Sequence, residues 1–190
     1  MPHSKWLTAV GAAAALTVIL APTAQAASAS GAAAPTSAST VTTLYYDATR
    51  AGGWEDAITA GVASWNANTK NVRLVAARPG TRAEIQIVAT SGWPQASLGP
   101  VRPGGQGRVE LGSQAVAEGH DKTRIAAHEI GHNLGLPDTK PGPCSQLMSG
   151  SSAGTTCKNA TPNATERSRV DTAYASRAAT ADDRLLVDAS

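Results

Sequence analysis

His128-Glu129-Ile130-Gly131-His132-Asn133-Leu134-Gly135-Leu136-Pro137-Asp138 is the stretch from which the rest of the chain is read. Residues four apart on a helix lie one turn above the other on a single face, so His128 and His132 are placed to aim both imidazoles at one ion. Zinc accepts histidine nitrogens at about 2.0–2.1 Å, and a catalytic zinc takes three protein ligands and keeps a fourth position open. Two histidines therefore call for a third ligand. Gly135 permits the left-handed turn that ends a helix abruptly. Pro137 stiffens the return, and Asp138 is the residue it delivers. Glu129, next to a ligand, is the candidate general base, taking a proton from water whose pKa a metal lowers toward about 7. Ala127, Ile130 and Leu134 fall on another face and predict a buried side for the same helix.

Outward from this segment, Asp121 is a candidate N-cap for a helix running to about Leu134. Residues 135–162 carry Gly, Pro and both cysteines and read as irregular structure. In an exported chain, Cys144 and Cys157 read as a disulfide, contributing roughly 3 kcal/mol by loop-entropy arguments. Two further metal ligands are the competing reading, although no CxxC pair exists. Asn163 with Glu166 three residues later resembles a capping box, and Val170, Ala173 and Tyr174 mark one face of a last helix. Residues 179–190 form a tail to which no role is assigned.

Upstream, Val41 to Tyr46 reads as a strand ended by Gly52-Gly53. Trp54, Ile58, Val62 and Trp65 recur at helical spacing behind Glu55 and Asp56, which predicts an amphipathic helix with its tryptophans packed on a sheet. Val72 to Ala76, Glu84 to Val88 and Arg108 to Leu111 are further strands, and residues 91–107 are mostly loop. The order strand, helix, strands, helix, loop, helix is an α+β pattern, with helices backing a mainly antiparallel or mixed sheet.

The N-terminus reads as an export signal over residues 1–26. His3 and Lys5 precede a continuous apolar stretch, Ala9 to Ala21, and Ala24-Gln25-Ala26 supplies the small-x-small cleavage pattern. A membrane anchor is the rival reading, with an apolar run that is short for a span. Residues 27–40 (ASASGAAAPTSAST) bury almost nothing and read as a disordered propeptide or spacer before a domain at 41–178. In 190 residues, 42% hydrophobic, a core is affordable, and a net charge of +2 without a basic stripe leaves no footprint for nucleic acid.

HEIGHNLGLPD is similar to the elongated zinc signature of the metzincin metallopeptidases, H-E-x-x-H-x-x-G-x-x-H/D. The version ending in Asp, in so small a chain, resembles the snapalysin family of secreted neutral proteases. Cys144-Ser145-Gln146-Leu147-Met148-Ser149-Gly150 resembles that family's Met-turn, with Met148 as the hydrophobic floor beneath the ligands. Cys157 and the segment after it look like the family's C-terminal part. The resemblance implies a metzincin-like fold: a twisted sheet and active-site helix, then a smaller irregular half ending in a helix. It implies a secreted endopeptidase with one catalytic Zn2+ on His128, His132 and Asp138, acting through a zinc-activated water with Glu129 as base. It also implies an extended peptide or protein substrate added to a sheet edge near Ala96 to Leu98 and a preference for an aromatic residue just after the scissile bond. Where the family often has a Tyr after the zinc-binding Asp, this chain has Thr139-Lys140-Pro141, so Lys140 is the candidate positive charge there.

Two rivals stand beside this reading: a peptidase whose third zinc ligand is Glu166, and a secreted zinc-binding module without catalysis. The default assembly is a monomer, free of the membrane after signal cleavage. Calcium stays open as a second ion, with no dense acidic loop to nominate its site.

Overall fold

The computed structural model describes residues 40–186, the last of them, beyond Ala175, as backbone only. The expected leader (1–26), all but the last residue of the expected spacer (27–40) and residues 187–190 lie outside the described residues. Five strands, β1 (Thr42–Arg50), β2 (Val72–Ala76), β3 (Ile85–Thr90), β4 (Gln95–Ala96) and β5 (Gly107–Gly112), form one sheet in the order β2-β1-β3-β5-β4. The helices are α1 (Glu55–Asn68), α2 (Ser113–Ala117), α3 (Lys122–Asn133) and α4 (Ala164–Leu186), with a 3-10 segment at Leu147–Ala153. Among the described residues no helix is long and apolar enough to cross a membrane.

The sheet is mixed rather than mainly antiparallel: β1 pairs in parallel with β2 and β3, and β3 with β5, and β4 alone runs antiparallel, on β5. Parallel neighbours normally need a long crossover, which α1 supplies between β1 and β2. The link from β2 to β3 is short and carries no helix, and the register explains why. β2 pairs with the first half of β1, ending at Tyr46↔Ala76, whereas β3 starts at Tyr46↔Ile85 and follows the second half past an irregularity between Asp47 and Arg50. The chain therefore steps across β1 at Tyr46 without travelling back along it. β1 accordingly extends four residues beyond the expected Val41–Tyr46 span.

One sheet face buries Leu44, Ile85, Ile87, Val109 and Leu111, all at most 1% exposed. α1 and α3 cover it, and they pack closely on each other. Trp65, fully buried in the core, donates its indole N–H to the Ala127 carbonyl of α3 at 2.8 Å. That approach depends on small residues: a Cβ at Gly61 would sit 3.0 Å from the Ala127 nitrogen. α4 joins through Val170 and Tyr174, both buried, with the Tyr174 hydroxyl donating to the Val101 carbonyl at 2.8 Å. Its backbone continues to Leu186, into the stretch to which the sequence assigned no structure.

Candidate metal centre

α3 begins where Asp121 caps it, accepting from the Arg124 N–H at 2.9 Å, which satisfies one of the orphan donors of a helix start. It ends in a Schellman turn: Gly135 at φ 101°, with Gly135 N–H donating to His132 O at 2.9 Å and Leu136 N–H to Gly131 O at 3.1 Å. The reversal brings the Leu136 carbonyl to His132 Nδ1 at 2.7 Å. On the other histidine, His128 Nδ1 meets the Leu147 carbonyl at 3.0 Å. Carbonyls only accept, so in neutral imidazoles each Nδ1 carries the hydrogen and each Nε2 is left with a free lone pair.

Those two Nε2 atoms lie 3.1 Å apart, and Asp138 Oδ1 stands 3.2 Å from the first and 3.7 Å from the second. Three acceptors thus converge on one point, and a cation is the partner that satisfies them together. A tetrahedral ion with bonds of about 2.0–2.1 Å separates its ligands by about 3.3–3.4 Å, so the spacing and the two-nitrogen, one-oxygen donor set fit zinc. Glu129 falls in the same cluster as the histidines, all within 4.8 Å. Its nearer oxygen is 3.9 Å from His128 Nε2, farther than Asp138, so the distances favour Asp138 as third ligand. Contact with His128, reinforced by Lys140, holds the Asp138 carboxyl well below the usual carboxylate range.

Glu129 is 5% exposed, and its Oε2 is buried without a hydrogen-bond partner. Burial pushes its pKa up to about 7, against the opposing pull of His128. Burial likewise lowers the His132 pKa, with the neighbouring His128 adding to the effect. Lys140 reaches the rim, Nζ 3.1 Å from Asp138 Oδ2. Its stem crosses Gly150, where a Cβ would meet Lys140 Cε at 2.7 Å and His128 Cε1 at 3.1 Å.

Met148 is buried under α3, and its sulfur would lie 2.7 Å from a Cβ at Gly131, between the two histidines. Thr139 N–H donates to the Met148 carbonyl at 2.9 Å, tying the Asp138 segment to that turn. Cys144 and Cys157 form the disulfide that closes the loop around it. Glu166, the rival ligand, faces elsewhere: its oxygens accept from Met148 N–H at 2.8 Å and Asn163 N–H at 2.7 Å, and Asn163 Oδ1 accepts from Glu166 N–H in return, a complete capping box. A cleft runs between β4 and the centre, bounded by Gln95, Ala96, Leu98, Pro137 and Lys140. A second pocket opens beside it under Trp93, Ala115, His120 and Ile125.

The two carbonyls that orient the histidines escaped the sequence reading, and β4 was expected only through the resemblance, as a sheet edge near Ala96 to Leu98. A backbone acceptor leaves no mark in residue identity, and two residues are too few for an alternation signal. Arg124 did carry a signal, one turn before His128 on its face, and it is buried with its guanidinium on the Gln146, Gly150 and Asn159 carbonyls.

Residues 41–177 match the family described as Streptomyces extracellular neutral proteinase (M7). The chain is 38% identical over 154 residues to an extracellular small neutral protease of Streptomyces lividans, covering 81% of this chain and 66% of that protein, just under two thirds of its length. It is 38% identical over 133 residues to the protein of that name from Streptomyces caespitosus, covering 70% of this chain and 97% of that one. Among solved structures, high choriolytic enzyme 1, a hatching-enzyme zinc-protease of the medaka Oryzias latipes, shares a partial likeness: TM-score 0.38 and 24% identity over 52% of this chain and 46% of that one. The sequence match, spanning the sheet, the histidine helix and the first turns of α4, shows that this chain belongs to the Streptomyces extracellular neutral proteinase (M7) family.

Proposed function

We propose that this chain is a secreted zinc endopeptidase in which His128, His132 and Asp138 hold the ion and Glu129 is the general base. The observation that carries it is the convergence of three acceptors, His128 Nε2, His132 Nε2 and Asp138 Oδ1, beside the unpartnered Oε2 of Glu129. When bound, zinc supplies Lewis acidity that polarises the scissile carbonyl and acidifies water. Glu129 takes the proton of the attacking water and returns it to the leaving amine, so the carboxylate ends as it began. Its pKa near 7 before metal binding suits a group that must both accept and give a proton at neutral pH.

An extended peptide adds to the free side of β4, where main-chain pairing supplies affinity and alternate side chains reach the flanking pockets. The pocket beside the metal centre, with Trp93, Pro94, Ala115 and Ile125 on its apolar side, is the place for an aromatic residue just after the scissile bond. Lys140 offers positive charge at the cleft rim, in the place where a Tyr often stands in the family. Residues 1–26 direct export, 27–40 are a spacer or propeptide, 41–178 are the peptidase domain and 179–190 a tail, and the mature protein acts outside the cell as a monomer. Two capped oxygens leave Glu166 unsuited to the ion, and a zinc module without catalysis has no use for the buried Glu129.

The experiment is casein hydrolysis by the secreted protein before and after chelation, with zinc added back. Activity lost on chelation and restored by zinc supports the proposal. A protein that retains zinc yet is inert on casein and on a broad peptide library would sink it in favour of the non-catalytic module.

A further inference from the structure

Glu166 and His128 grip opposite ends of one peptide group. Met148 N–H donates to Glu166 Oε1 at 2.8 Å, and Leu147 C=O, the other half of the same peptide unit, meets His128 Nδ1 at 3.0 Å. A trans peptide is planar, with N–H and C=O pointing in opposite directions. Fixing the N–H on Glu166 therefore fixes where the carbonyl points. Arg124 holds the same turn from the helix side: one terminal nitrogen donates to the Gln146 carbonyl at 3.0 Å, to Ser149 Oγ at 2.9 Å and to the Gly150 carbonyl at 3.4 Å. Both charged residues are only 5% exposed. Buried charges of opposite sign contribute little net stability compared with apolar packing, so stability alone is a weak reason to find two of them under one short turn.

We infer that Glu166 is a positioning residue for the metal centre, acting on His128 through the Leu147–Met148 peptide, with Arg124 bracing the same turn. Histidine ligands commonly donate their second N–H to a carboxylate or carbonyl, which sets the ring orientation and raises the basicity of the ligating nitrogen. Here a carboxylate and a carbonyl act in series. The Glu166 charge polarises the peptide, the Leu147 oxygen becomes a stronger acceptor, and His128 presents Nε2 toward His132 and Asp138. The inference rests on the metal-site reading of His128 and gives the residue first weighed as a rival ligand a different task.

The test uses the full secreted chain and four variants: Glu166→Ala, Glu166→Gln, Asn163→Ala and Asp138→Ala. Zinc affinity is measured by chelator competition, and the melting temperature is taken separately in chelator. With cobalt(II) in place of zinc, proton NMR follows exchange of the His128 Nδ1 hydrogen. Glu166→Ala is expected to weaken zinc about 10–100-fold and to speed that exchange. Glu166→Gln, which keeps one acceptor oxygen, falls between it and the wild type, and it carries the test if the alanine variant does not fold. Asn163→Ala breaks only the cap, so it lowers the melting temperature and leaves zinc affinity and exchange unchanged.

Unchanged zinc affinity in both Glu166 variants overturns the inference. So do affinity losses that follow melting temperature equally in Asn163→Ala and Glu166→Ala. Zinc loss in Glu166→Ala as complete as in Asp138→Ala would make Glu166 a ligand and overturn it too. A wild type that binds no zinc overturns it together with the metal-site reading.

Discussion

His132 Nδ1 lies 2.7 Å from the carbonyl oxygen of Leu136, the third residue beyond the end of α3. The turn that ends the helix is thus the turn that orients its second histidine, and both depend on Gly135 at φ 101°. Helix termination, orientation of the His132 ring and the return of the chain to Asp138 are one local event.

Gly135→Ala tests that coupling. An L side chain is strained at this φ, and its Cβ would also meet Pro100 Cδ at 3.0 Å. The expected cost is about 2 kcal/mol, read as a fall of about 4–8 °C in Tm, together with weaker zinc binding in a chelator titration. Unchanged zinc affinity at a lowered Tm would separate the turn from the ligand.

Gly131→Ala tests the floor beneath the centre. The added methyl would come within 2.7 Å of Met148 Sδ and 2.9 Å of Trp65 Cζ2, both in the buried core. Overpacking of this kind costs about 1–3 kcal/mol, and thermal unfolding of the chelated protein should register it. A variant as stable as wild type would mean that Met148 and Trp65 yield freely.

Glu129→Gln separates chemistry from binding. The amide keeps the shape of the side chain but accepts no proton, so kcat should fall about 10²–10⁴-fold while metal analysis still finds one zinc per chain. Retention of full kcat would remove Glu129 from the base role.

The chelated protein should also carry a pH signature of Glu129. Its folded pKa of about 7 lies above the ordinary 4.5. The stabilisation from the protonated form is therefore complete below about pH 4.5 and is lost as pH rises through 7. His132, with its pKa lowered, works in the opposite direction, and Asp138, held low, loses its contribution only as acid protonates it. Comparing wild type with Glu129→Gln isolates the first effect. The variant should gain on wild type between pH 5 and 8 by something on the order of 3 kcal/mol, as measured by denaturant unfolding. A constant difference across that window would show that burial does not hold the proton on Glu129.

Much of the centre was legible because its geometry is local. Histidines four apart share a helix face by the helix period alone, Asp121 caps by side-chain chemistry, and Asn163 with Glu166 spells a capping box in four residues. Gly135 likewise announces the left-handed turn that its φ displays. What escaped depended on partners distant in sequence. The parallel pairings follow from the step across β1 at Tyr46, and no alternation of apolar residues encodes strand order. Trp65 carried the right spacing for a buried face, but its bond to the α3 backbone turned on the small residues Gly61 and Gly131, which let the helices approach.

From the sequence alone came the α+β class, the helix that presents His128 and His132, the turn toward Asp138 and the pairing of Cys144 with Cys157, because each follows from short-range backbone rules or residue chemistry. Only the tertiary structure decided the largely parallel pairing of the strands, the antiparallel pairing of β4 on β5, and the place of Glu166 behind the Leu147–Met148 peptide. Those relationships join residues tens of positions apart or backbone atoms that every residue shares, and packing of the whole chain is what selects among them.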